Sequence, residues 1–213
     1  MNTVLITIII ANLIVSFKGF NDLAFFRKYE FHIGSIRSGE QFRMFSSAFL
    51  HADIGHLFFN MFTLYMFAPV VCSYFDNTSF LLIYVGSLIF GSLLTLLFHK
   101  DDYSYRAIGA SGAVTGVLYS AILLQPDMSL YMFFIPIPIP AYLFGIGYLL
   151  YSIYGMKAKN DNIGHTAHFG GAIGGFVITI VKEPQMLTEN TLMVGLLAIP
   201  IIILFVMAKA GKL

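Results

Sequence analysis

Long apolar runs broken by short polar clusters dominate the chain. A helix that crosses a hydrocarbon layer needs roughly 20 mostly apolar residues. Seven stretches approach that length: Asn2–Phe17, Ser46–Val71, Phe80–Phe98, Ile108–Leu124, Ala141–Tyr154 (with a backward extension to Leu130 as the alternative), Ile163–Val181 and Leu192–Ala208. The first and fifth are short, and the last contains Pro200. Helices are expected throughout, because lipid offers no partner to an open strand edge. No basic residue precedes the first run, and no small-x-small site follows it, so it reads as a membrane helix rather than a cleaved leader.

The connections are unequal. Lys18 to Phe45 is the longest, and it mixes Phe20, Phe25, Phe26, Tyr29, Phe31 and Ile33 with charges, which places it at the interface or partly folded into the membrane. Ile135–Pro140 alternates Ile and Pro; each Pro removes a donor and pushes its predecessor toward extended geometry. That stretch is an extended lead-in to the fifth helix. Tyr131–Phe134 reads as an interfacial anchor, and Asp101, Asp102 and Arg106 as a solvated loop. The expected architecture is an all-α polytopic membrane protein, with a six-helix core over 1–182 and a further spanning helix within 183–213.

Composition agrees with that architecture. Of 213 residues, 58% are hydrophobic and 11% charged, with a net charge of +1. A soluble domain carries about 25% charged residues, so a soluble globule and a nucleic-acid binder with a basic footprint are both excluded. The single cysteine, Cys72, rules out a disulfide framework and a Cys-rich metal site.

Polar groups inside membrane segments are costly and therefore functional candidates. His56 and Asn60 are about 40° apart around the second helix and about 6 Å apart along it, so they project from one face; tying helices together is the plainer use of such a pair. Ser111 stands among Gly109, Ala110, Gly112, Ala113 and Gly116, where a hydroxyl usually serves packing. A glycine-rich helix start also exposes backbone N–H groups that can stabilise a negative oxygen. His168 lies beside Gly170, Gly171, Gly174 and Gly175, which permit close approach of the fourth helix through Gly112 and Gly116. Such packing would place His168 within reach of Ser111, and a His beside a Ser can take the hydroxyl proton and return it to a leaving amine. The second, fourth and sixth helices all start from one side, so the three motifs share one depth.

These residues resemble the rhomboid intramembrane serine proteases: Gly109-x-Ser111-Gly112, Ala167-His168 followed by Gly171 and Gly175, His56-x-x-x-Asn60, and Gln41-Phe-Arg43 before the second helix. The resemblance implies Ser111 as nucleophile and His168 as general base and acid. It also implies an oxyanion site of His56, Asn60 and the Ser111 N–H, with Gly109 keeping the approach open and Gly112, Gly171 and Gly175 supporting the packing. The implied reaction is hydrolysis of peptide bonds in or near transmembrane segments of protein substrates in the lipid bilayer, with no cofactor, no metal and no nucleic-acid partner. Many members carry Tyr four residues after the Ser; Thr115 stands here, which leaves His168 oriented by glycine packing and His165.

Eleven Lys and Arg fall on the motif side and only Lys182 on the other. The positive-inside bias makes the motif side cytoplasmic, whereas the bacterial members of the resembled family face it outward; the expectation follows the family, in a bacterial cell membrane. Two alternatives remain: a catalytically silent rhomboid-like protein that binds membrane clients, and a metal-dependent hydrolase using His51, Asp53, His56, His165 and His168.

Overall fold

The computed structural model describes residues 2–132, 135–158 and 163–213. The order is α1 (Thr3–Asn21), α2 (Leu23–Tyr29), β1 (Phe31–His32), α3 (Ile33–Arg37), α4 (Arg43–Ser46), a 3-10 turn (Ser47–Phe49), α5 (Ile54–Tyr74), α6 (Asn77–Phe98), β2 (Arg106–Ala107), α7 (Ser111–Leu124), β3 (Ser129–Met132), β4 (Ile135–Pro140), α8 (Ala141–Ala158), α9 (His165–Lys182), α10 (Met186–Glu189) and α11 (Thr191–Lys209). The chain is an all-α polytopic membrane protein; α1, α5, α6 and α11 are each long and apolar enough to cross a bilayer.

Helix α7 is the axis of the bundle. Every residue from Gly112 to Leu124 is buried, because α5, α6, α8 and α9 all pack against it. Its 14 residues rise only about 21 Å at 1.5 Å per residue, against a hydrocarbon core of about 30 Å. A helix this short cannot cross such a layer by itself. Helix α11 covers the outer side of α8, with Leu197 and Leu204 fully buried in the common core.

Several boundaries differ from expectation, each for a local reason. The second spanning helix starts at Ile54 rather than Ser46, because the Asp53 side chain caps it by accepting the His56 N–H at 2.7 Å. The fourth starts at Ser111 rather than Ile108, since Arg106–Ala107 pairs with β1 and Gly109 adopts a φ of 114°. The backward extension of the fifth helix does not form: Ser129–Met132 is a strand antiparallel to Ile135–Pro140. Tyr131 is exposed, whereas Phe133 and Phe134 of the expected anchor, and Lys159 of the motif-side charges, lie outside the described residues.

The long connection after α1 is a folded cap. Phe31, Ile33 and Ile36 form a small core of their own against Met44, Leu96 and Tyr105. Glu30 is 2% exposed and pairs with Arg27 and Arg106, so Arg106 fastens β2 to this cap and is not part of a free solvated loop. Arg43 donates to the carbonyls of Arg27 and Glu30 at 2.7 and 3.1 Å. The cap sits over the side at which α5, α7 and α9 begin.

Candidate active site

Two helix starts meet under the cap. Nε2 of His168, in the first turn of α9, lies 2.7 Å from Oγ of Ser111, the first residue of α7. His168 is buried and Ser111 half-buried. Glycines make this distance attainable. A Cβ on Gly171 would fall on the Gly112 carbonyl, and one on Gly175 on the Gly116 carbonyl. Of the four glycines expected to face α7, only these two do so; Gly170 and Gly174 lie against Phe90 and Gly91, and against Ser87 and Phe90, of α6. Helix α9 is thus pressed into a trough between α6 and α7.

The turn before Ser111 is held from beneath by His51, which is fully buried. Its Nδ1 lies 2.8 Å from Ser16 Oγ, and its Nε2 accepts the Ala110 N–H at 3.4 Å. Burial, with His56 nearby, pushes the His51 pKa down to about 3, so its ring is a neutral acceptor toward the backbone. Gly109 needs its positive φ here, and a Cβ at that position would lie 2.8 Å from His56 Nε2 and 3.7 Å from Ser111 Oγ. His56 therefore hangs over the serine. Its Nδ1 accepts the Ala52 N–H at 3.4 Å, which leaves Nε2 as the protonated, donating nitrogen. Asn60, 6% exposed, donates to the His56 carbonyl at 3.0 Å. No side chain caps the first turn of α7, so its backbone N–H groups remain for another acceptor.

Sequence reasoning missed one member of the cluster. Tyr148 of α8 stacks on His168, with centroids 5.6 Å apart and 25° between planes, and its Oη lies 2.7 Å from His168 Nδ1. Orientation of His168 therefore does not rest on glycine packing and His165 alone. His165 stands 6.3 Å away ring to ring and wedges against Gly155 and Tyr151. A signal existed: Gly145, Ser152 and Gly155 mark one stripe of α8, and Tyr148 falls in it.

A cavity of about 40 Å³ opens beside Ser111, lined among others by Ser47, Ser92, Thr95, Gly109 and Ala167. It has room for about three waters, and its polar walls offer them partners. Among the described residues no group of three His, Cys, Asp or Glu converges as a metal site would require; Asp53 is spent on the α5 cap and His51 on Ser16 and Ala110.

A Rhomboid domain profile matches residues 38–185. The chain is 31% identical over 186 residues to the mitochondrial RHOMBOID-like protein 12 of Arabidopsis thaliana, covering 79% of this chain and 55% of that one. It is 30% identical over 154 residues to the putative rhomboid protease YdcA of Bacillus subtilis, covering 68% and 69%. Against the rhomboid protease GluP of the same bacterium it is 33% identical over 143 residues, covering 66% and 26%. The chain thus spans about half the length of the Arabidopsis relative and a quarter of GluP. With relatives in both mitochondria and bacteria, the expected bacterial membrane receives no particular support. The Rhomboid match extends from the cap through α9 and takes in every motif gathered around Ser111: this chain belongs to the rhomboid family of multi-pass membrane proteins.

Proposed function

We propose that the chain is a serine endopeptidase that hydrolyses peptide bonds in or near transmembrane segments of other membrane proteins, with residues 1–182 as its working unit. The observation that carries this reading is the 2.7 Å contact between Ser111 Oγ and His168 Nε2, set at the start of a helix too short to cross a bilayer alone. His168 accepts the serine proton as Oγ attacks the scissile carbonyl, then returns it to the leaving amine. The carbonyl oxygen becomes negative in that step. The His56 Nε2–H, the Ser111 N–H and the second amide hydrogen of Asn60 are the donors grouped to receive it. Water held beside Ser111 then hydrolyses the acyl-enzyme. An intact substrate helix hides its carbonyls, so the substrate must unwind locally to present one. No cofactor is called for.

The test is cleavage of a single-span substrate in vesicles by wild type, Ser111→Ala and His168→Ala, together with fluorophosphonate labelling of Ser111. Both variants are expected to lose cleavage, and Ser111→Ala to lose the label. Equal cleavage by all three would remove this reading; binding of the substrate without cleavage by any of them would favour a silent client binder.

A further inference from the structure

The turn that leads into Ser111 rests on a buried polar chain that begins in α1. Ser16 of α1, His51 and Ala110 are each fully buried. Ser16 does not turn back on its own helix as Asn12 does. Its Oγ donates to the Phe49 carbonyl at 2.9 Å and lies 2.8 Å from His51 Nδ1. The Ala110 N–H reaches His51 Nε2 at 3.4 Å. Donor directions along this chain are fixed from both ends. A carbonyl only accepts, so the Ser16 proton goes to Phe49 and the Ser16 oxygen accepts from His51 Nδ1–H. A backbone N–H only donates, so His51 Nε2 is bare toward Ala110. Both ends require the same neutral tautomer, and the two buried side chains are then satisfied.

The chain ends at two parts of the oxyanion site. The Gly109 N–H donates to the Ser47 carbonyl at 3.0 Å and the Ala110 N–H to His51, so residues 47–51 take the two backbone donors that precede Ser111. No side chain caps the helix that follows, and the Ser111 N–H is the next donor in line. Only the Ala110 dihedrals, φ −71° and ψ −4°, separate the pinned peptide from the one that bears this N–H. The His51 ring also meets the His56 ring edge-on, with centroids 4.9 Å apart and 76° between planes. One imidazole thus touches both the backbone and the side-chain arm of the site.

We propose that His51, oriented by Ser16 of α1, is the positioning residue of the oxyanion site: it pins the peptide before Ser111 and braces the ring of His56. This rests on the reading of Ser111 and His168 as the hydrolytic pair. His51 exchanges no proton in the reaction. It acts by holding donors in place before charge develops on the substrate oxygen, which is where such donors gain their effect. The site thereby depends on α1, which lies ahead of the residues 38–185 that the Rhomboid profile matches.

The test uses the full chain in vesicles, with a single-span substrate and a peptide aldehyde whose hemiacetal oxygen probes the oxyanion site. Ser16→Ala removes the acceptor of His51 Nδ1–H. His51→Leu removes the acceptor of the Ala110 N–H, and His51→Gln returns an oxygen near the place of Nε2. A fall in kcat of about fivefold is expected for Ser16→Ala, the worth of one hydrogen bond between neutral groups. For His51→Leu, which leaves a buried N–H unpaired, the expected fall is roughly 10- to 100-fold. KM changes little in both, the aldehyde Ki rises as kcat falls, and His51→Gln recovers most of the loss. Thr179→Val, which removes a bond between α7 and α9, is the packing control, with a lower Tm and unchanged kcat and Ki. If Ser16→Ala and His51→Leu behave as this control does, with Ser111→Ala inactive, the proposal is overturned and the hydrolytic reading stands. Ring-nitrogen NMR of the histidine-labelled wild type in micelles needs no turnover and no variant that folds. It is expected to show His51 as neutral Nδ1–H, and an Nε2–H or doubly protonated ring at pH 7 overturns the proposal outright. Full cleavage by Ser111→Ala overturns the hydrolytic reading and, with it, this role for His51.

Discussion

Gly171→Ala is the sharpest test of how the Ser111–His168 distance is built. A Cβ on Gly171 would stand 2.6 Å from the Gly112 carbonyl carbon and 3.0 Å from its Cα, with the carbonyl oxygen closer still. All three obstacles are backbone atoms, so no side-chain rotation relieves them. The helices must part by roughly 1 Å to restore ordinary contact in a close-packed interior. Gly171 lies one turn beyond His168 on α9, and Gly112 directly follows Ser111 on α7, so the parting acts at the site itself. The 2.7 Å contact then approaches the limit of about 3.5 Å beyond which a hydrogen bond is effectively lost. Overpacking of this kind costs about 1–3 kcal/mol of stability, and a misplacement of about 1 Å costs on the order of 100-fold in rate. The assays are vesicle cleavage, fluorophosphonate labelling and thermal unfolding in micelles. The control is Gly195→Ala on α11, where nothing lies within 4 Å of an added Cβ and no loss is expected. Wild-type labelling and an unchanged Tm for Gly171→Ala would refute the claim that glycine contacts set the distance.

Two further predictions concern the cap and the turn beneath Ser111. Glu30→Ala leaves Arg106 and Arg27 without the carboxylate between them, and because both arginines are about half exposed and stay solvated the loss is about 1 kcal/mol; limited proteolysis within 22–46 should accelerate, and an unchanged digestion rate would count against the cap as a folded unit. His51 stays neutral in the folded protein because burial lowers its pKa to about 3, while the unfolded chain takes up a proton below about pH 6.5. Its contribution to stability is therefore lost as pH falls below that value, by up to about 1.4 kcal/mol per pH unit. Thermal unfolding from pH 7 to pH 4 should accordingly be steeper for wild type than for His51→Gln, and equal slopes would contradict the buried neutral ring.

What could be read from the sequence followed from what lipid demands of a chain. Helices α1, α6 and α11 are announced by unbroken apolar runs because nothing else survives in hydrocarbon, and the alternating prolines of 135–140 could not have been helix. The meeting of α7 and α9 was also legible, since a run of small residues on each matters only if backbones touch. The identity of the touching pairs was not. Gly170 and Gly171 are equivalent in composition, and the rotation of α9 between α6 and α7 decides which of them faces α7. Tyr148 escaped for a related reason. On α8 the stripe of Gly145, Ser152 and Gly155 marks the face that holds Tyr148 but not its neighbour, and the depth match between Tyr148 and His168 depends on where the β3–β4 hairpin starts the helix. Glu30 and Arg106 stand 76 positions apart, and no local pattern pairs them.

The distribution of polar contacts separates packing from chemistry more clearly than the residue types do. Asn12, Asn60, Thr95 and Ser152 each donate to the carbonyl four residues earlier in their own helix, a local bond open to the donor wherever the helix sits. Thr179 donates to Ser120 across the α7–α9 interface at 2.7 Å, which ties two helices and leaves no ring or acid in contact. The chain of contacts from Ser111 differs in kind. It joins a hydroxyl, an imidazole and a phenol from three helices. Loss of one member of a simple interhelical bond costs about 1 kcal/mol or less in a membrane, because the freed group finds another partner. The contacts of His168 have less freedom, since its ring is held at both nitrogens and stacked on Tyr148 as well. Substitution of Asn12, Thr95 or Ser152 should therefore register in Tm and hardly in turnover, whereas Tyr148→Phe, which keeps the ring and removes the 2.7 Å contact to His168, should register in turnover and hardly in Tm.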